Sequence, residues 1–435
     1  MFISLGCDKN TVDTEFMLGL LRDAGYSLTN EEEDADVIIV NTCAFIMDAQ
    51  KESIDTILEA AQYKKTGHLK KLIVTGCLSQ RYKEQILKEM PEVDAVVGAT
   101  AYDRIVEAIM GPERLFIEDT DALPLPDVAR VNTTGGYYSY LKIAEGCDKR
   151  CSYCIIPTLR GHYRSIPWER LVKEAEFLAE GGTKELMIVA QETTVYGVDL
   201  YGKKMLPFLL DKLSKIQGIE WIRLLYCYPE EIDDELINTI KTNPKVCHYL
   251  DLPIQHASDG ILKRMGRHTT RKDIETLIKK LRKEIPDIAL RTSLITGFPG
   301  ETEEDQKKLL DFVGKTKFSR LGCFTYSREE GTGAALMPGQ VHHSTKKRRR
   351  NEVMSLQQEI SKELSEKQIG RTLKVMVSGK LTEEDVWIGR SYMDAPNVDG
   401  YVFFKSGRDL LSGEFVDVLI TDAAEYDLMG EAVIK

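Results

Sequence analysis

Glu145-Gly146-Cys147-Asp148-Lys149-Arg150-Cys151-Ser152-Tyr153-Cys154 sets three cysteines in one short loop, spaced Cys-x3-Cys-x2-Cys. The loop follows an apolar run at 138–144 that reads as a strand, so the cysteines leave a strand end. Thiolates this dense suit an iron–sulfur cluster; a ferredoxin cluster takes four cysteines, the last often followed by proline. The next cysteine here is Cys227, far along the chain. A cubane held by three thiolates keeps one iron open for another ligand. Zinc is the alternative, but a structural zinc site takes a fourth protein ligand.

Outward from that loop, six strand candidates alternate with helical stretches: 138–144, 186–190, 221–227, 249–252, 290–296 and 321–326. This (β/α)6 pattern predicts a partial barrel, whose active site is built on the loops at the carboxyl ends of its strands. Those loops carry Gln191-Glu192-Thr193-Thr194, Tyr226-Cys227-Tyr228-Pro229, Pro253-Ile254-Gln255-His256, Gly297-Phe298-Pro299-Gly300-Glu301 and a polar run at 326–331. They are more polar and glycine-rich than turns require. His256 reads either as a proton-handling group or, more simply, as a satisfied structural histidine. Cys227, Cys247 and Cys323 have no ligand spacing and read as core residues.

Residues 1–113 form a second alternating pattern, a doubly wound parallel α/β domain. Strand-like runs at 2–5, 37–40 and 72–75 are each followed by a cysteine: Cys7, Cys43 and Cys77. Amphipathic stretches at 12–23, 45–63 and 80–90 supply the crossover helices. Sites in open parallel sheets lie beyond the carboxyl ends of the strands, so the three cysteines converge on one edge. A second three-thiolate cluster is the preferred reading; three unrelated buried thiols are the alternative. A Pro- and Gly-punctuated linker leads to the central unit, 133–365. That unit closes on a charged helical segment at 345–368, whose run Lys346-Lys347-Arg348-Arg349-Arg350 reads as a solvated face. Residues 368–435 hold short β-rich runs at 372–378, 386–392, 400–405 and 415–421, an all-β barrel or sandwich.

At 435 residues the chain has room for two or three domains, and 43% hydrophobic with 29% charged residues is ordinary for a globular protein. The start, Met1-Phe2-Ile3-Ser4-Leu5-Gly6-Cys7, lacks a basic n-region, and no apolar run reaches the roughly 18 residues that span a bilayer. Nine cysteines, an odd number, argue for metal or redox use in a reducing cytoplasm, with no membrane and no disulfides. A net charge of −11 disfavours a nucleic-acid backbone as main partner and favours a basic one. Between Gln368 and Lys435, seven basic residues (Lys435 among them) face twelve acidic ones, including Glu383, Asp394 and Asp399, a balance of −5. That predicts an acidic platform for a basic protein.

Taken together, the chain resembles the methylthiotransferase family of radical S-adenosylmethionine (SAM) enzymes along its whole length. The cysteine loop carries the resemblance, with Tyr153 before its last cysteine. So do Gly6-Cys7-Asp8-Lys9-Asn10 with Val12-Asp13, Asn41-Thr42-Cys43-Ala44-Phe45-Ile46 and Gly76-Cys77-Leu78-Ser79-Gln80-Arg81-Tyr82. Ala190-Gln191-Glu192-Thr193-Thr194-Val195-Tyr196-Gly197 and Asp394-Ala395-Pro396-Asn397-Val398-Asp399-Gly400 extend it, with Glu192 where an aspartate is common and Thr14 where a serine is usual. These resemble the RimO-like branch, which methylthiolates the β-carbon of an aspartate in the twelfth small-subunit ribosomal protein. The MiaB-like branch, which modifies a tRNA adenosine, is the alternative.

The resemblance implies a radical SAM core and a C-terminal TRAM domain. It implies two [4Fe-4S] clusters, one on Cys147, Cys151 and Cys154 that cleaves SAM, the other on Cys7, Cys43 and Cys77 that delivers sulfur. The loop at 297–301 then reads as a seat for SAM or as a plain turn. An electron donor such as a flavodoxin or ferredoxin, a separate sulfur donor and a substrate met on or near the ribosome are implied too. No side chain is singled out as catalytic, since the radical chemistry belongs to the cofactor.

Overall fold

A computed structural model of the chain describes residues 1–381 and 384–433. Glu383 and Lys435, counted in the C-terminal charge balance, lie outside the described residues. The N-terminal sheet has five parallel strands, β1 (Phe2–Ser4), β2 (Val37–Thr42), β3 (Lys71–Gly76), β4 (Ala95–Gly98) and β5 (Leu115–Phe116), in the order 1-2-3-4-5. Helix Asp8–Asp23 and helix Ile105–Met110 pack on the face of Ile39, Ile73 and Val97. Helix Met47–Thr66 covers the opposite face, with Ile38, Val40, Leu72 and Val74. Both faces are thus covered, but the strand order never reverses. Convergence of the three cysteines needs no reversal, because β1, β2 and β3 are adjacent and parallel, so their exits are neighbours. The stretch at 80–90 is not one helix: it splits into Cys77–Tyr82 and Glu84–Glu89 at Lys83, whose φ is 44°.

The central sheet holds six parallel strands: β6 (Tyr138–Lys142), β9 (Glu185–Val189), β10 (Trp221–Leu224), β11 (Val246–Asp251), β12 (Ala289–Thr296) and β13 (Arg320–Thr325). Its order is β13-β12-β11-β10-β9-β6, an open partial barrel. A two-stranded ribbon, β7 (Ala144–Glu145) with β8 (Arg164–Ser165), brackets the Cys147 loop. Five further strands close the C-terminal barrel: β14 (Thr372–Leu381), β15 (Val386–Ser391), β16 (Val402–Lys405), β17 (Phe415–Ala423) and β18 (Leu428–Ala432). Strands β4, β5 and β18 are short runs that the sequence pattern did not isolate. No helix among the described residues is long and apolar enough to cross a membrane.

The small barrel seals the amino-terminal end of the large one. Tyr138, Met187, Trp221, Cys247, Tyr249 and Ala289 share one core with Met376 and Ala395, and Trp221 meets Phe415 edge-to-face at 4.8 Å. Charge reinforces the joint: Glu185 lies 2.7 Å from both Arg223 and the C-terminal domain's Arg390. This docking overturns part of the acidic-platform expectation. Asp394 is buried and paired with Arg320, while Asp399 accepts from Tyr249 at 2.7 Å and faces Arg291 at 3.5 Å. A carboxylate loses its hydration on burial and needs such partners. Both carboxylates therefore hold the two barrels together and face no incoming substrate.

Candidate functional site

Cys7 occupies the N-cap of helix Asp8–Asp23, Cys43 follows β2, and Cys77 opens helix Cys77–Tyr82. Cys7 and Cys77 thus sit at helix N-termini, where backbone amides favour negative charge. Each follows a glycine of left-handed φ, Gly6 at 93° and Gly76 at 90°; Gly146, before Cys147, sits at 74°. At Gly6 a Cβ would come within 2.9 Å of Asn10 and 3.0 Å of Cys43 Cβ, so the glycine lets the two cysteine loops close up. The three thiols interact. Burial pushes the Cys43 thiol up to about 12, and Cys77 and Cys7 add to the rise. Burial also raises Cys77, with the Arg160 guanidinium opposing it.

In the second trio Cys147 and Cys151 are buried and Cys154 is half-buried. The loop is pinned by its backbone: Cys147 N donates to Gly161 O at 3.2 Å, Ser152 N to Met265 O at 2.9 Å, and Ala334 N to Ser152 O at 2.7 Å. Burial pushes the thiols of Cys147 and Cys154 up to about 12. Such thiols ionise only against a cation, and metal binding is what deprotonates them. Among the described residues no group of three His, Cys, Asp or Glu side chains is gathered tightly enough for a single ion. A cubane spreads its ligands over three separate irons, and three thiols per site with no fourth ligand fit that group. Tyr228 Oη lies 3.7 Å from Cys151 Sγ, Arg267 stacks on Tyr228 at 4.2 Å, and Tyr153 meets Phe298 edge-on.

Between the trios lies a buried network that the sequence reading missed. Arg160 donates to Asp13 at 2.8 Å, Glu145 at 3.0 Å and Asn10 at 2.6 Å; Lys142 pairs with Asp13 and, at 2.9 Å, with Glu145. Gln191 donates to Glu145 at 2.8 Å. Burial alone would raise the Glu145 carboxyl, but Arg160 and Lys142 hold it well below the usual carboxylate range. Asp8 and Lys9 complete the contact: Tyr226 Oη donates to Asp8 at 3.2 Å and Lys9 Nζ sits 3.3 Å from the Tyr226 ring centre. Tyr226 has φ 58°, an outlier for a bulky residue and a mark of constraint at the strand end. Glu329 anchors the other side, accepting from Met47 N and Gln50 at 2.8 Å and from Arg81 at 3.2 Å. A signal was present for one member: Lys142 is a charge set inside an otherwise apolar run, Tyr140 to Ala144.

At the barrel rim, burial lifts the Glu192 carboxyl to about 7, against the pull of Thr194 and Lys149. One of its oxygens has no hydrogen-bond partner, and it is an electrostatic neighbour of Cys147. A buried carboxyl perturbed in this way beside a cysteine loop is a candidate functional group. The loop at 297–301 closes on itself: Glu301 accepts from Gly297 N at 2.6 Å and Phe298 N at 3.0 Å, and Arg349 clamps Glu301 at 3.0 Å. The basic run is therefore no solvated face throughout; Lys346 and Arg349 are buried against this loop. His256 is fully buried, its Nδ1 accepting from Ser258 N at 3.0 Å, but its Nε2 has no hydrogen-bond partner and lies 3.8 Å from Glu301, so it is a structural histidine satisfied on one nitrogen only. Cys227, Cys247 and Cys323 are buried in the apolar cores of the barrel, as core residues.

Residues 1–98 match the profile of the uncharacterized protein family UPF0004, residues 141–313 the radical SAM superfamily, and residues 369–433 the TRAM domain. A ribosomal protein uS12 methylthiotransferase RimO from Lachnoclostridium phytofermentans is 65% identical over 99% of both chains. Proteins of that name from Acetivibrio thermocellus and Clostridioides difficile are 52% and 51% identical, over 99% of this chain and 97% and 98% of theirs. Among solved structures, the radical SAM methyltransferase TsrM from Kitasatospora setae, with cobalamin and a [4Fe-4S] cluster bound, superposes with a TM-score of 0.56. At 15% identity, covering 86% of this chain and 78% of that one, the likeness is one of fold.

Proposed function

The chain belongs to the family of ribosomal protein uS12 methylthiotransferases, and on that premise we propose that it adds a methylthio group to the β-carbon of an aspartate in uS12. What carries the reading is identity of 50% or more along the whole chain, joined to a three-thiol site on each of two facing domains, one running from exposed Cys7 through half-buried Cys43 to buried Cys77, the other mostly buried. We take 1–113 as the cluster-bearing domain, 133–365 as the radical SAM core and 368–435 as the TRAM domain. Cys147, Cys151 and Cys154 would hold one [4Fe-4S] cluster, and Cys7, Cys43 and Cys77 the second. When bound with SAM, such a cluster supplies the radical chemistry that an unactivated C–H bond requires. Acid–base side chains cannot supply it, because a C–H bond beside a carboxylate is not acidic enough for them.

The chain's own residues do the rest. Lys142, Arg160, Asp13 and Glu145 lock the two cysteine loops in register, and Asp8, Lys9 and Tyr226 close the seam beside Cys7. Tyr228, Tyr153 and Phe298 wall the radical loop with aromatic surface, which excludes water from a reactive intermediate. The enzyme works in the cytoplasm, where uS12 is made, with a flavodoxin- or ferredoxin-type electron donor. Mass spectrometry of uS12 before and after incubation with reconstituted enzyme, SAM, reductant and sulfide tests the proposal. A methylthio mass gain on one aspartate is expected. Unmodified uS12 beside a modified tRNA would transfer the chain's activity to the other branch.

A further inference from the structure

Arg160 belongs by sequence to one cysteine loop and by contact to the other. It ends the short helix Ile156–Arg160 that follows Cys154, and its side chain is 2% exposed. Its Nη2 donates to Cys77 Sγ at 3.6 Å and to Asn10 Oδ1 at 2.6 Å. Among the described residues no other cation is hydrogen-bonded to a cysteine sulfur. Cys7, Cys43 and Cys77 all lie within its electrostatic reach. The leading neighbours of Cys147 are instead Cys151, Glu192 and Lys149, and those of Cys154 are Cys151 and Cys147. With Lys142, Asp13 and Glu145 it forms a quartet that is neutral overall. What reaches the N-terminal site is therefore the closeness of one guanidinium to one sulfur.

Hydrogen bonds to ligand sulfurs, local charge and burial set the potential of an iron–sulfur cluster. Reduction adds negative charge, which an N–H···S donor carrying positive charge stabilises. We propose that Arg160 is a positioning residue that the barrel domain supplies to the N-terminal site, where it raises the reduction potential of the cluster on Cys7, Cys43 and Cys77. The inference rests on the reading that those three cysteines hold a [4Fe-4S] cluster. It follows that the N-terminal site acquires its working potential only when the two domains are docked.

The test uses the full chain with Cys147, Cys151 and Cys154 all changed to Ala, reconstituted so that only the N-terminal cluster is present, and titrated with dithionite under EPR. Arg160→Lys keeps the charge but loses the fork that reaches Cys77. Arg160→Gln with Glu145→Gln removes the fork and keeps the network neutral, leaving Asp13 paired with Lys142. Both should lower the midpoint, the second by a tenfold or larger change in the reduction equilibrium, about 59 mV for one electron. In the complementary chain with Cys7, Cys43 and Cys77 changed to Ala, Arg160→Lys should leave the radical cluster's midpoint in place. Unchanged N-terminal midpoints in both variants, or equal shifts of the two clusters, overturn the inference while leaving the cluster assignment standing. If the parent chain forms no reducible cluster on Cys7, Cys43 and Cys77, the assignment itself falls and the inference with it.

Discussion

Glu185→Gln should weaken the joint between the barrels more than loss of either of its partners. Glu185 is fully buried, Arg223 is fully buried and Arg390 is 2% exposed, each guanidinium 2.7 Å from the carboxylate. Burial by itself would raise the carboxyl's pKa; Arg390 and then Arg223 overcome that and hold it below the ordinary value. Neutralising Glu185 leaves two buried cations with no counter-charge, and breaking a buried pair this way costs about 3–5 kcal/mol. Arg390→Met leaves the Glu185–Arg223 pair intact and takes a donor from two acceptors, Glu185 Oε2 and the Asp394 carbonyl. That costs about 1–3 kcal/mol. The assay is urea unfolding of the full chain, with limited proteolysis between helix His343–Glu366 and β14 reporting release of the C-terminal barrel. A Glu185→Gln variant no less stable than Arg390→Met would refute the reasoning, since it would mean that water already reaches the guanidiniums.

Three further outcomes are expected. Changing any one of Cys147, Cys151 or Cys154 to Ala should lower reconstituted iron from roughly eight to about four per chain and abolish 5′-deoxyadenosine formation; changing Cys7, Cys43 and Cys77 together should spare that product and remove methylthio transfer, so wild-type cleavage of SAM in a single Cys147 variant would contradict the site. Burial lowers His256 to about 4. The unfolded chain therefore binds a proton that the folded chain refuses between about pH 6.5 and 4, and the stability present above that window should fall through it by at most about 3 kcal/mol. Equal pH slopes for wild type and His256→Gln in urea unfolding would refute this. Asp394→Lys with Asp399→Lys should undock the C-terminal barrel, read as faster proteolysis in the absence of any substrate; a well-docked variant with weakened uS12 binding would restore the acidic-platform reading.

The thiol pattern and the β/α alternation were legible because each is local. A Cys-x3-Cys-x2-Cys loop lies within one turn of chain, and an apolar strand declares itself over about five residues. The junctions between domains were not legible. Arg160 meets Asn10 and Asp13 across 150 and 147 residues of sequence. No periodicity reports that a charge will be neutralised by a partner on another domain. Asp394 and Asp399 looked like solvated acids for the same reason: composition counts charges, whereas burial depends on Arg320, Arg291 and Tyr249, all from the barrel. Lys346 and Arg349 sit in a run whose neighbours Lys347 and Arg348 are exposed, so helical spacing gives the face but not what covers it.

The two buried networks stand at opposite ends of the same pair of strands. Lys142 ends β6 at the rim that faces the N-terminal domain, and Glu185 begins β9 at the base that faces the C-terminal barrel. Apolar surfaces hold domains together but tolerate sliding, because apolar attraction is non-directional. Buried ion pairs add little net stability against an apolar substitute, yet once formed they penalise every arrangement that separates the partners. Arg160 and Lys142 therefore fix where the N-terminal sheet sits along the barrel rim, and with it the spacing between the Cys7, Cys43, Cys77 site and the Cys147 loop. Arg390 and Arg223 fix the plug at the other end. A reaction divided between the two sites, as proposed above, would depend on that spacing more than on the stability of either domain. Charge is placed at the seams because position is what the seams must deliver.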